Sequence, residues 1–247
     1  MSSDERTTIK NARRAGIAAF VGTTIEWYDF FVFTTATGLI FGKIFFPELA
    51  AGAGALASFA TLWVGYIGRP LGGVLFGHVG DRLGRKKALF TTLLIMGLST
   101  VAIGFLPTYE QVGMAAPVLL ALLRVLQGVA LGGEWGGAVL IASESAPKDR
   151  KISFGNFAQQ GTPTGAMLST AVFIPLTALP EESFASWGWR VPFLLSAILV
   201  IVGLVIRLRI ADPPEFEEAR KAKRLAKVPV VEVFRGYTGL IALAVGA

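Results

Sequence analysis

The sequence predicts an all-α membrane protein of six transmembrane helices, and three observations carry that prediction. Of its 247 residues 53% are hydrophobic and 16% charged, with a mean hydropathy of +0.60, which is too apolar for a domain whose whole surface faces water. Apolar runs long enough to cross a bilayer, roughly 20 residues each, recur between charged or Pro/Gly-marked breaks. Most of the 23 Lys and Arg fall on alternate connections between those runs, as the positive-inside rule requires of a multi-pass protein.

The predicted spans are Ala15 to Phe41, Gly54 to Phe76, Ala88 to Leu106, Val112 to Ala142, Phe154 to Leu179 and Trp189 to Leu208. Residues 1–14 precede them as a charged N-terminus with Arg6, Lys10, Arg13 and Arg14. Residues 209–236 are charge-dense and proline-flanked, and predict a soluble linker with a short helix. Residues 237–247 begin a further apolar run, too short to span, that predicts the start of a seventh helix in a truncated chain. The N-terminus, the second and fourth connections and the linker hold the basic excess, Arg207 and Arg209 included, and are predicted cytoplasmic. The opposite connections hold Lys43 with Glu48, Glu110, Glu181 and Glu182.

Composition also narrows the chemistry. There is no cysteine and a single histidine, His78, so thiol chemistry is excluded and a His-rich metal centre is not expected. No nucleophile motif or phosphate-binding loop is visible, which argues against an enzyme. The net charge of +6 is a topology signal in such a chain, and no nucleic-acid partner is expected.

Charged residues within the spans stand out because each costs a few kcal/mol at a bilayer centre and is by default functional. The first span carries Glu26 and Asp29, one helical turn apart and therefore on one side; Arg69, Arg124 and Glu134 lie in or at the edge of later spans. Counting residues from the span ends brings Glu26, Arg69 and Glu134 to similar depths, so mutual neutralisation is one expectation. The other is a proton site: burial favours the neutral acid, a nearby guanidinium favours the carboxylate, and moving the partner loads or unloads a proton. Arg124 is the partner expected for Asp29. It is suited either to grip a substrate carboxylate with two prongs or to hold its own helix in place. Tyr28 and Gln127 are candidate cavity residues. Glycines crowd spans four and five, where they allow close helix packing, and Pro163 is a candidate flexing point.

The second connection reads GHVGDRLGRKK. Gly77 and Gly84 suit a tight turn and close helix approach, Asp81 a helix start, and Arg82 and Arg85 pairing with acids nearby. The pattern G-x-x-x-D-R-x-G-R-[KR] between spans two and three resembles the signature of the major facilitator superfamily. EWYDF (26–30), GRPLGG (68–73), Arg124 with Gln127 and Gly128, GGEWGG (132–137) and WGWRVP (187–192) resemble, within it, the metabolite:proton symporter family. The resemblance covers residues 15–247 and implies the N-terminal half of a twelve-span fold, built as two inverted three-helix repeats. It further implies proton-coupled uptake of a small carboxylate or zwitterion across the cell membrane, no cofactor beyond the proton gradient, and a companion C-terminal half as partner. Glu144 resembles the acid that pairs with the loop arginines, which makes Gly77, Asp81, Arg82, Gly84, Arg85 and Glu144 a candidate cytoplasmic gate. A non-transporting scaffold or sensor, or an inactive fragment, is the alternative.

Overall fold

The structure is a computed structural model that describes residues 3–144, 156 and 159–208, with side chains at 13, 16–50, 52–84, 86–134, 156 and 159–208. Six long helices occupy the places of the six predicted spans, and among the described residues there is no strand. Helix α1 spans Ser3–Ala36 and passes through a π-helical segment, Thr37–Phe41, into the short α2, Gly42–Phe45. Then follow α3 (Ala51–Leu83), α4 (Arg85–Gly104), the four-residue α5 (Tyr109–Val112) and α6 (Ala115–Glu144). After them come α7 (Gly161–Thr177), α8 (Glu181–Ser186), a 3-10 turn at Gly188–Arg190, and α9 (Val191–Leu208).

Several boundaries differ from the sequence expectation for physical reasons. Span limits follow from hydropathy, but a helix does not stop where lipid stops. Helix α1 thus begins at Ser3 rather than Ala15, and α3 continues to Leu83 through most of the expected second connection. That connection is one residue, Gly84, held at φ 103° where a side chain would be strained. Asp81 therefore sits in the last turn of α3 rather than at a helix start, and Gly77 lies inside α3, where it forms no turn and a Cβ would meet nothing among the described residues. Pro163 is the third residue of α7, where the missing N–H has no partner to lose. The interior prolines are Pro70 and Pro175. The expectations for 209–236 and 237–247 lie outside the described residues, as do the side chains of Arg85 and Glu144.

Packing supports a repeated design. Helix α3 lies along α6 and α7 along α1, while α4 contacts both α6 and α9. If α1, α3 and α4 are matched with α6, α7 and α9, the α3 to α6 contact corresponds to the α7 to α1 contact. Glycine makes both possible. A methyl group at Gly72 would fall on the Val129 carbonyl, and one at Gly128 on the Gly65 carbonyl, so the α3 and α6 backbones meet with no side chain between them. Gly161 and Gly165 give α7 the same access to the α1 backbone at Phe20, Thr24 and Tyr28.

The apolar core concentrates at the end of the bundle away from Gly84. Phe33, Phe41 and Phe45 interlock there edge to face with one another, and Trp189 and Phe193 close over them with ring centroids 5.1–6.0 Å apart. Arg190 donates to the Gly104 and Leu106 carbonyls at 2.9 and 2.6 Å, satisfying the free C-terminal end of α4. On the outside, Leu56, Trp63, Ile67, Leu71, Ile198, Ile201 and Val205 are exposed, a surface suited to lipid chains. Three described helices are apolar and long enough to cross a membrane by themselves: 86–104, 115–134 and 188–208. Of the other three long helices, α1 is diluted by Glu26 and Asp29, α3 carries Arg69, and α7 is 17 residues long.

Candidate functional site

Three helices present polar side chains to one interior recess, and a fourth lines it with an apolar one. Helix α1 contributes Glu26 and Asp29 from one face, and α6 contributes Arg124, Gln127, Gly128 and Leu131, spaced three, one and three as one helical stripe. Helix α3 adds Gly65, Tyr66 and Arg69, and α4 adds Met96. The cavity these residues line holds about 20 Å³, room for one water. An adjoining pocket of about 450 Å³, lined by Glu26, Trp27, Phe30, Arg69, Leu131 and Gly132, shares four of those residues with it and is within the usual size range of a small-molecule site.

Asp29 is 3% exposed and Arg124 7% exposed, yet they do not form an ion pair. A chain of neutral side chains joins them instead. Arg124 Nη1 donates to Gln127 Oε1 at 2.9 Å, Gln127 Nε2 donates to Thr100 Oγ1 at 2.7 Å, and Thr100 Oγ1 donates to Asp29 Oδ2 at 2.7 Å. The amide orientation follows from chemistry: a guanidinium only donates, so the Gln127 oxygen must face it. Asp29 Oδ1 and Arg124 Nε are buried with no hydrogen-bond partner among the described residues. The Arg124 guanidinium rests on the Phe33 ring, its centre 3.9 Å from the centroid, a cation–π contact strengthened by exclusion of water.

The second buried acid is arranged differently. Glu134, 1% exposed, pairs directly with Arg207 of α9, itself 3% exposed. Arg207 also donates to the Leu89 carbonyl, and Thr92 reaches Glu134 Oε2 at 3.4 Å. Gly22 of α1 leaves the space: a Cβ there would meet the Arg207 guanidinium. Glu134 is therefore neutralised by Arg207, correcting the expectation that Glu26, Arg69 and Glu134 balance one another. The same contact corrects the assignment of Arg207 to the basic flank.

Glu26 and Arg69 do share a recess, and Arg69 stacks on Tyr66 at 4.2 Å from the ring centroid. Tyr28 does not serve the cavity; its hydroxyl donates to the Pro192 carbonyl at 2.9 Å. Adjacent positions on a helix differ by about 100°, so Tyr28 and Asp29 do not face the same way. Gln127 lines the recess and is central to the hydrogen-bonded chain. Asp81 and Arg82 are exposed at the end of α3. Sequence reasoning missed Thr92, Thr100 and Arg207. The signal for Arg207 was its place inside the predicted sixth span; the signal for the threonines was a hydroxyl at i and i+8 on one face of an apolar helix, where it needs a partner.

Comparison with known proteins adds three findings. Residues 15–230 match the family described as sugar (and other) transporter. The chain is 46% identical to the inner membrane metabolite transport protein YhjE of Escherichia coli over 92% of this chain and 52% of that protein, and 44% identical to the shikimate transporter of the same organism over 96% and 55%. It is 41% identical to a putative proline/betaine transporter of Staphylococcus aureus over 84% and 45%. The chain thus spans about half the length of the curated relatives it matches. Among solved structures, the partially occluded inward-open xylose transporter XylE from E. coli superposes with a TM-score of 0.76 at 18% identity, over 96% of this chain and 58% of that one. The proton:xylose symporter XylE bound to 6-bromo-6-deoxy-D-glucose gives 0.75, also at 18%, over 97% and 52%. The fold, the matched residues and the relatives agree: this chain belongs to the sugar (and other) transporter family.

Proposed function

We propose that the chain forms one six-helix wall of a proton-coupled symporter for a small carboxylate or zwitterionic metabolite, with the N-terminus, the Gly84 connection and residues 209–236 on the cytoplasmic side of the cell membrane. The observation that carries this reading is the convergence of Asp29, Glu26, Arg124 and Arg69 on one recess in a membrane bundle, where isolated charges are costly. A companion six-helix half, which residues 237–247 would begin, supplies the facing wall.

In this mechanism Asp29 carries the coupled proton. While Asp29 is ionised, its charge is balanced through Thr100 and Gln127 by Arg124. Protonation removes that charge, and Arg124 becomes available to a substrate carboxylate. Arg69 offers a second guanidinium at the wide end of the recess, and Glu26 beside it suits the cationic end of a zwitterion. Asp81 and Arg82, with Gly77, Gly84, Arg85 and Glu144, form the cytoplasmic gate.

The test is uptake of radiolabelled shikimate, 2-oxoglutarate and betaine into proteoliposomes under an imposed proton gradient, with the chain co-reconstituted with a C-terminal half from a curated relative. Gradient-driven accumulation lost in Asp29→Asn, with downhill exchange retained, supports the reading. Accumulation by Asp29→Asn at the parent level contradicts it. For the gate, Asp81→Asn should increase labelling of introduced cysteines from the cytoplasmic side; unchanged labelling would make the connection a topological anchor only.

A further inference from the structure

Thr100 lies at the junction of the hydrogen-bonded chain and has more neighbours than protons. Its Oγ1 is 2.7 Å from Asp29 Oδ2, 2.7 Å from Gln127 Nε2 and 3.0 Å from the Met96 carbonyl. A hydroxyl has one proton to donate and two lone pairs. Gln127 Nε2 takes one lone pair, so the hydroxyl proton must choose between Asp29 and Met96. The charge on Asp29 makes the choice: an ionised carboxylate only accepts, whereas a carboxylic acid can donate.

We infer that Thr100 is a positioning residue which reports the protonation state of Asp29 to Arg124, by turning its hydroxyl proton between Asp29 Oδ2 and the Met96 carbonyl. The inference rests on the reading of Asp29 as the proton site. With Asp29 ionised, every donor in the chain points the same way, from Arg124 through Gln127 and Thr100 to the carboxylate, and bonds in such a series polarise one another. When a proton from water adds to Oδ2, that oxygen donates to Thr100 Oγ1, which fills the second lone pair. The Thr100 proton turns to Met96 and the series is broken at its last link. One proton is gained from solvent, none is lost elsewhere in the protein, and Thr100 Oγ1 keeps its full set of partners, while Asp29 Oδ1 and Arg124 Nε stay as they were. The Gln127 amide then faces an oxygen that already accepts a second bond, so its hold on Arg124 loosens.

The geometry suits this role in two further ways. Thr100 is fully buried, so water does not compete for its hydroxyl. Threonine is also free to turn its O–H without moving a heavy atom. The titratable and charged groups around Asp29 are Glu26 and Tyr28 on α1, Tyr66 and Arg69 on α3, Arg124 and Glu134 on α6, and Arg207 on α9; α7, packed along α1, carries none. Thr100 is the only residue hydrogen-bonded to Asp29 among the described residues.

The experiment uses the 247-residue chain in lipid nanodiscs and changes only the pH. Infrared difference spectra give the Asp29 carboxyl band, assigned by its loss in Asp29→Asn. Nitrogen-15 NMR of labelled arginine gives the Arg124 guanidinium, assigned by its loss in Arg124→Lys. The expected result is that the Arg124 signal moves together with the Asp29 band in the parent chain and stays fixed in Thr100→Val while the band still titrates, with Thr100→Ser restoring the linked movement. An Arg124 signal that follows Asp29 in Thr100→Val, or fails to follow it in the parent chain, overturns the relay. Absence of any titrating Asp29 band removes the proton-site reading itself, and the relay with it. If Thr100→Val does not fold, Thr100→Ser carrying a side chain that folds and Gln127→Leu, which cuts the chain one link later, give the same contrast.

Discussion

Two of the buried carboxylates, Asp29 and Glu134, lie about 12 Å apart along α4, the rise between their threonine partners Thr92 and Thr100. Glu134 has its cation in direct contact, and Arg207 in turn has the Leu89 carbonyl. Asp29 has its cation two side chains away, and one carboxylate oxygen with no partner among the described residues, in a wall of the recess. A fully bonded buried pair fixes three helices, α4, α6 and α9, in register. A carboxylate held through neutral links is free to change charge without breaking an ion pair. In the proposed mechanism the same residue chemistry serves as a staple in one place and as a working group in the other, and the deciding variable is how directly the counter-charge is bonded.

Breaking the staple should have the largest effect on stability. Arg207→Leu strands Glu134 without a cation, and removing one member of a buried pair costs about 3–5 kcal/mol. Thermal unfolding in detergent should show a drop of many degrees, with Glu134→Gln in the Arg207→Leu background recovering much of it. Little loss in Arg207→Leu would mean the pair is not structural. The next effect down is Thr100→Val, which removes the donor to Asp29 and the acceptor of Gln127. About 1 kcal/mol is expected, since hydrogen bonds inside membrane bundles are individually modest. Thr92→Val should cost less than Thr100→Val, because the Thr92 contact to Glu134 is 3.4 Å long and Arg207 already satisfies the carboxylate; a reversed order of unfolding midpoints would contradict the contrast drawn above.

The smallest effect is expected where an ion pair is fully exposed. Lys43 and Glu181 bridge α2 and α8 at 2.5 Å, and both side chains are largely in water. Lys43 holds the Glu181 carboxyl below its ordinary range by hydrogen bonding first and charge second. The folded value is lowered, so any contribution is present above the unfolded value and is lost as pH falls through the folded one. Lys43→Ala should leave the unfolding midpoint unchanged at neutral pH, and a clear fall would show that the outer end of the bundle depends on this contact.

How much of this was legible in the sequence depends on what kind of signal each feature leaves. The six helices were legible because a bilayer demands long apolar runs and leaves charge only at their ends. Glu26, Asp29, Arg69 and Arg124 were legible because a charge inside such a run is conspicuous. Helix ends were not, because α1 and α3 continue into polar sequence that carries no stop signal until Gly84. Arg207 was hidden by its neighbours: next to Arg209 and the charged segment beyond, it read as one more flanking cation. Thr100 was hidden by its own modesty, since a threonine is tolerated anywhere in an apolar helix and gains a role only from what lies across the interface. Tyr28 misled for a geometric reason, because it adjoins Asp29 in sequence and faces Pro192 in space.

The central claim is that Asp29 exchanges a proton and Glu134 does not. The most direct measurement is the infrared difference spectrum of the chain in nanodiscs across a pH change, compared among the parent, Asp29→Asn and Glu134→Gln. A carboxyl band present in the parent should vanish in Asp29→Asn and persist in Glu134→Gln. A band that persists in Asp29→Asn and vanishes in Glu134→Gln would contradict the claim.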